Sequence, residues 1–188
     1  ARRSQVAILI LGEEAILSGE AHCRADITLP GAQAALIEAV AATGTPIVLV
    51  VMAGRALALE AVLPHVHALA YAWHPGSMGG TAITGVLVGD DVPSGKLAVT
   101  LPRVIGQIPI YYGHKHTGKP PTRETVVHRD HIEARAPQLS VGNTSFHLDV
   151  DHTPLFPFGF GLSYTSFVYR NLALSAETLT PDGALIVS

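Results

Sequence analysis

Gln5-Val6-Ala7-Ile8-Leu9-Ile10-Leu11-Gly12 is the stretch whose reading decides the fold. From Val6 to Leu11 no polar residue interrupts the run, and a glycine stops it. A strand with one wet face alternates apolar and polar residues, whereas a strand covered on both faces of a parallel sheet reads as a continuous apolar run. The same signature returns at Pro46-Ile47-Val48-Leu49-Val50-Val51-Met52, stopped by Gly54.

Working outward, the segment joining these two strands has a polar part, Glu13 to Thr28, and then a helical part. Pro30 opens the helix, where its missing N–H is no loss. Ala32, Leu36, Ala39 and Val40 fall at helical spacing, and Gly44 closes the element. A short helix from Glu60 to His65 leads to a third strand, Ala68 to Ala72. The loop His74-Pro75-Gly76-Ser77-Met78-Gly79-Gly80 then precedes a helix from about Thr81 to Val88. Gly89 to Gly95 is dense in turn residues, and Lys96 to Leu101 reads as a further strand. Strand and helix alternate, so the expected fold is α/β: a mostly parallel sheet of five or six strands with helices on both faces. From Pro102 to Pro157 the pattern gives way to a long polar loop with scattered aromatics, of the kind that carries function or lies over a partner surface. Ser163 to Tyr169 alternates again and reads as the first strand of a β module. Leu172 to Ser188 would continue that module without closing a sandwich. No internal repeat is visible.

Composition narrows the function classes. Of 188 residues, 48% are hydrophobic and only 14% charged, which excludes a disordered tail. No apolar run reaches the roughly 20 residues needed to span a bilayer, so a soluble chain with no membrane partner is expected. The net charge is −3 and no basic run exceeds Arg2-Arg3, which argues against a nucleic-acid partner. The single Cys23 forbids an internal disulfide and leaves the compartment open. The chain starts Ala1-Arg2-Arg3 with no visible signal peptide, so a piece of a longer protein is expected.

Several motifs invite chemistry. Gly76-Ser77-Met78-Gly79-Gly80 resembles a nucleophile elbow, but Pro75 stands where that motif needs its first glycine. It also misses a dinucleotide fingerprint, so these glycines are read as letting a helix N-terminus pack close to the sheet. His65-Val66-His67 and His114-Lys115-His116 have chelating spacing on a strand, yet no cysteine partner or H-E-x-x-H accompanies them. No metal and no cofactor are expected. The loop after the first strand is richest in carboxylates: Glu13, Glu14, Glu20 and Asp26, with His22 and Arg24 among them. Loops at the carboxyl ends of parallel strands form the ligand crevice of such folds. A carboxyl group there, near Arg24 and partly desolvated, could be tuned for proton transfer. The alternative is that all four carboxylates are ordinary solvated charges.

The motifs taken in order carry a resemblance. Gly12-Glu13, then Ser18-Gly19-Glu20-Ala21-His22-Cys23-Arg24-Ala25-Asp26-Ile27-Thr28-Leu29-Pro30, resembles the start of the second domain of family 3 glycoside hydrolases. Ala72-Trp73-His74-Pro75-Gly76 with Gly79-Gly80, Gly89-Asp90, Pro93-Ser94-Gly95-Lys96-Leu97, Thr100-Leu101-Pro102 and Gly106-Gln107-Ile108-Pro109 with Tyr111-Tyr112 follow in the family's order. Pro154-Leu155-Phe156-Pro157-Phe158-Gly159-Phe160-Gly161-Leu162-Ser163-Tyr164-Thr165 with Phe167 resembles the opening of its fibronectin-III-like module. The resemblance runs from about Gln5 to Tyr169. It implies an α/β sandwich domain over residues 1–162 and the incomplete start of a fibronectin-III-like module over 163–188.

It also implies a function. The family hydrolyses terminal β-linked glucose or xylose with retention, and its nucleophilic Asp lies on a preceding TIM-barrel domain. A barrel takes on the order of 200 residues or more, so that partner domain lies outside this chain. By position, Glu20 corresponds to the general acid/base of the periplasmic β-glucosidase subgroup, which would place the protein in the periplasm or outside the cell. Glu13, Arg24 and Trp73 are implied as substrate-binding or supporting residues. Trp73, Tyr111, Tyr112 and the Pro102–Pro157 loop are expected on an apolar face that meets the barrel. Cys23 stands where a serine or other small residue is expected. Two other readings stay open: a non-catalytic carbohydrate-binding or scaffold domain of the same fold, and an unrelated small-molecule α/β domain.

Overall fold

The computed structural model describes residues 1–115, 118–138 and 144–188. Three strands, β1 (Ala7–Gly12), β2 (Ile47–Met52) and β3 (Ala68–Tyr71), form one sheet in the order β1-β2-β3 with every pairing parallel. Leu9 lies beside Leu49, Leu11 beside Val51, and Leu49 beside Leu69. Because side chains alternate across a strand, this register puts Leu9, Leu11, Ile47, Leu49, Val51, Leu69 and Tyr71 on one face. That face is the core, closed by Ile27, Leu29, Ile37, Leu57, Leu59 and Val62. The opposite face carries Ile8, Ile10, Val48 and Val50. Val50, on the central strand, is fully buried there, while Ile8 and Ile10 on the outer strand are 51% and 57% exposed.

Helix α1 (Gln33–Ala41) crosses the core face, with Ile37 fully buried. It starts three residues after Pro30 because Gly31 takes a left-handed φ of 62°, a conformation that no α-helix contains. The Gln33 side chain then ties the helix to the end of β1. Its Nε2 donates to the Gly12 carbonyl and its Oε1 accepts from the Gly12 N–H, both at 2.8 Å. Helix α2 (Gly79–Val88) ends at Gly89 in the left-handed region. The expected helix at Glu60–His65 is reduced to a single 3₁₀ turn, Leu63–His65.

Five or six strands were expected and three form among the described residues. The segment Lys96–Leu101 does run beside Phe156–Phe160, and Leu97 N–H donates to Phe160 O at 2.8 Å while Leu101 N–H donates to Phe156 O at 2.9 Å. Only the Leu101–Phe156 pair makes a bridge, and it is antiparallel. Pro157 has no N–H to offer and Gly159 turns left-handed (φ 79°), so a regular ladder cannot extend between them. Ser163–Tyr169, expected as a strand, also forms none. From Thr165 to the end every residue is exposed, and the sole pairing is an antiparallel bridge between Leu174 and Val187. An isolated two-stranded ribbon with nothing to cover it is marginal in water, so alternation alone does not build a strand there.

Candidate active site

Parallel pairing brings the carboxyl ends of all three strands together, and with them the loops 13–28, 53–57 and 72–78. The junction of β1 and β2 is tight: the Glu13 N–H donates to Met52 O at 2.8 Å. Gly12 holds φ at 141°, and any Cβ there would strike the Met52 backbone. Only glycine fits this crossing.

The Glu13 side chain, turned inward by that junction, is completely buried. An unpaired buried carboxylate would be very costly, and two arginines offset that cost. Arg24 Nη1 lies 2.5 Å from Oε1, and Arg55 Nε sits astride the carboxylate, 2.9 Å from Oε1 and 3.0 Å from Oε2. Both guanidinium groups reach further. Arg24 Nη2 donates to Thr28 O at 3.1 Å, and Arg55 Nη2 donates to His22 O at 2.9 Å and to Leu17 O. The Arg55 backbone is itself held, since Tyr71 Oη donates to Arg55 O at 2.5 Å and accepts from Leu57 N at 3.1 Å. Burial pushes the Tyr71 hydroxyl up to about 12.

Glu20 lies opposite in character. It is exposed, at the outer turn of the 13–28 loop, where the His22 N–H donates to Gly19 O at 3.1 Å and Ala21 adopts φ 63°. Its carboxylate has no hydrogen-bond or ion-pair partner among the described residues. The turn is tied on both flanks. His22 Nδ1 is 2.6 Å from Ile16 O; since a carbonyl only accepts, that nitrogen carries the proton. Ser18 Oγ lies 3.3 Å from His74 Nε2, linking the first loop to the third. Gly54, beneath that contact, leaves no room for a Cβ, which would overlap both Ser18 Oγ and His74 Nε2. Further along, Asp26 accepts from the Thr28 hydroxyl (2.7 Å) and N–H (2.8 Å), and these bonds hold its carboxyl below the ordinary value. Ile16, Leu17, His22, Cys23 and Arg24 line an open depression of ≈ 300 Å³ beside the turn.

Trp73 follows β3 with φ 52°, a left-handed conformation that a bulky residue rarely adopts. Strain of this sort persists only where the surroundings impose it, and it clusters at functional positions. Here the indole packs on Tyr71 with ring centroids 4.5 Å apart, and the same turn delivers His74 to Ser18.

The structure thus brings Glu13, Arg24, Glu20 and Trp73 to one end of the sheet and joins Glu13 to Arg24 directly. Sequence reading missed Arg55, Ser18 and His74. Arg55 carried a usable signal, being the first charged residue beyond the carboxyl end of the second strand, the place where crevice residues sit. Two of the other motifs have structural contacts. His67 Nδ1 accepts the Ile47 N–H at 3.2 Å, and no group of three His, Cys, Asp or Glu able to hold a metal occurs among the described residues. His116 lies outside them. Buried Gly79 starts α2 against the Pro75 ring, where a Cβ would collide. The Pro102–Pro157 loop is mixed. Gln107 and Arg103 anchor its ends through Asp151 and Thr153, while Tyr111 and Tyr112 stand 54% and 78% exposed, Tyr112 against Phe158. No helix among the described residues is long and apolar enough to cross a membrane.

The structure is a parallel α/β sheet whose three carboxyl-end loops converge around the buried Glu13 and its two arginines, and comparison with known sequences fixes the family. Residues 1–164 match the Glycosyl hydrolase family 3 C-terminal domain, and the chain belongs to that family. It is 40% identical over its full length to a periplasmic beta-glucosidase of Salmonella typhimurium and 33% identical to a beta-xylosidase of Formosa agariphila. The crystal structure of a beta-glucosidase from Listeria innocua in complex with glucose superposes with a TM-score of 0.77 at 35% identity, covering 93% of this chain. The chain spans 23% of the length of each of the first two proteins and 22% of the third.

Proposed function

We propose that this chain supplies the general acid/base carboxyl, Glu20, to a retaining, exo-acting β-glycosidase that removes terminal β-linked glucose or xylose. The nucleophile lies on a TIM-barrel domain preceding this one or in a partner chain. The contrast between the two glutamates carries the reading. Both oxygens of the buried Glu13 are committed to two partly buried arginines, so it cannot exchange a proton with substrate without unmaking the loop. Glu20 is solvent-facing beyond the carboxyl end of β1, with no competing partner among the described residues. In the proposed cycle Glu20 gives its proton to the glycosidic oxygen as the bond to the anomeric carbon breaks. Its carboxylate then takes a proton from the water that attacks the glycosyl-enzyme ester. Retention requires the nucleophile about 5 Å from Glu20, so the barrel must cover this turn. Tyr111, Tyr112 and Trp73 belong to the surface it covers, and residues after Ser163 open a fibronectin-III-like module. Periplasmic or secreted placement is supported by the similarity to the periplasmic beta-glucosidase of Salmonella typhimurium.

Leaving-group dependence tests the assignment. In the barrel-containing enzyme, Glu20→Ala should slow hydrolysis of aryl β-glucosides with poor leaving groups far more than those with good ones. Azide should partly restore turnover by attacking the glycosyl intermediate. Equal losses on both substrates without rescue would remove Glu20 from the role. The chain assayed alone should turn over neither.

A further inference from the structure

Resting on that reading, we infer that Arg55 is the positioning residue for Glu20. Glu20 has no side-chain tether of its own among the described residues, so the path of the 13–28 loop sets where its carboxyl sits. Arg55 holds that loop at three points: the Glu13 carboxylate (2.9 and 3.0 Å), the Leu17 carbonyl and the His22 carbonyl (2.9 Å). Leu17 and His22 bracket Ser18-Gly19-Glu20-Ala21, so the guanidinium clamps the turn at its two feet and leaves only its tip outward. Arg24 shares Glu13 but its second bond goes to Thr28 O, beyond the turn. The clamp is itself referenced to the sheet, because the Tyr71 hydroxyl on β3 holds the Arg55 carbonyl. One planar group with donors in several directions can satisfy a carboxylate and two carbonyls at once, and a lysine ammonium at the end of a flexible stem cannot reproduce that fork.

The discriminating variant is Arg55→Lys, which keeps a cation beside Glu13 and so spares the fold. In the complete barrel-containing enzyme it should lower kcat on a poor-leaving-group aryl β-glucoside by about tenfold to a hundredfold, the scale expected of a misplaced catalytic group. A good leaving group should be nearly unaffected, reproducing the selectivity of Glu20→Gln. Amide exchange should speed up at Gly19 to His22 and stay unchanged in β1 and β2. Adding guanidinium ion to Arg55→Ala should recover part of the lost rate. Equal loss on both substrates, or unchanged exchange across the turn, would overturn the positioning role. Glu20→Gln separates the two claims: if it lacks leaving-group selectivity, the acid/base reading fails and this inference falls with it. If it shows the selectivity and Arg55→Lys does not, only the inference fails.

Discussion

Residues 7–88 and residues 102–188 hold their shape by different means. The first region contains every strand and α-helix among the described residues and nearly all of the buried apolar side chains. Among the described residues the second contributes only Pro102 and Val150 to the buried apolar set, and it is fastened instead by polar side chains reaching backbone. Gln107 Nε2 donates to Asp151 O and Thr153 O, both at 2.9 Å, and its Oε1 accepts from Arg103 N at 2.8 Å. Arg103 adds Thr153 O at 2.8 Å and the Glu60 carboxylate at 2.7 Å, the latter joining the two regions. Packing recruits many residues cooperatively, whereas such anchors act one at a time. The first region should therefore unfold as a unit and the second should loosen piecemeal.

The largest expected effect strikes the first region from its polar side. Glu13→Gln leaves two mostly buried guanidinium groups without their carboxylate, and a denaturant titration should show a loss of roughly 3–5 kcal/mol. Next comes Ile37→Ala, at about 2–5 kcal/mol for a cavity under α1. Its denaturation should remain a single transition if the region is one cooperative unit. Gln107→Ala should cost about 1–3 kcal/mol by stranding carbonyls of the 151–153 segment. Its mark would be fast amide exchange near Thr153 with β1–β3 protection kept. A global loss of protection instead would erase the distinction between the regions. Tyr71 sharpens it through pH. Its folded value is raised from 10.0 to about 12 by burial, so the neutral hydroxyl stabilises the fold fully below pH 10. That contribution is lost as pH rises through about 12. The stability of Tyr71→Phe should lack that alkaline component. Smallest of all, Tyr169→Ser should change stability by less than about 0.5 kcal/mol, because nothing in the last two dozen residues is buried.

Legibility in the sequence followed the same divide. β1, β2, β3 and α2 were readable within one or two residues because each is a dense apolar run, and a glycine lies at or just past the end of all but β3. Lys96–Leu101 misled because a strand needs a partner ladder, and Pro157 and Gly159 spoil the one available. Ser163–Tyr169 misled because alternation records which face would be apolar, not whether anything covers it. At the site, Glu13, Glu20, Arg24 and Trp73 stood in recognisable motifs. The burial of Glu13 and its bond to Arg55 were out of reach, since they join residues 42 apart through a crossing between strands.

β1 has a consequence for anyone handling the chain by itself. Among the described strands it lies at one edge of the sheet; the Gln33 side chain caps the outward N–H and C=O of Gly12, the outward groups nearer its start have no ladder partner, and Ile8 and Ile10 face water beside them. An uncharged apolar edge is a template on which another copy can stack. Expression of these residues alone therefore invites inclusion bodies and concentration-dependent turbidity. A lysine at position 8 or 10, pointing away from the core, is the economical remedy.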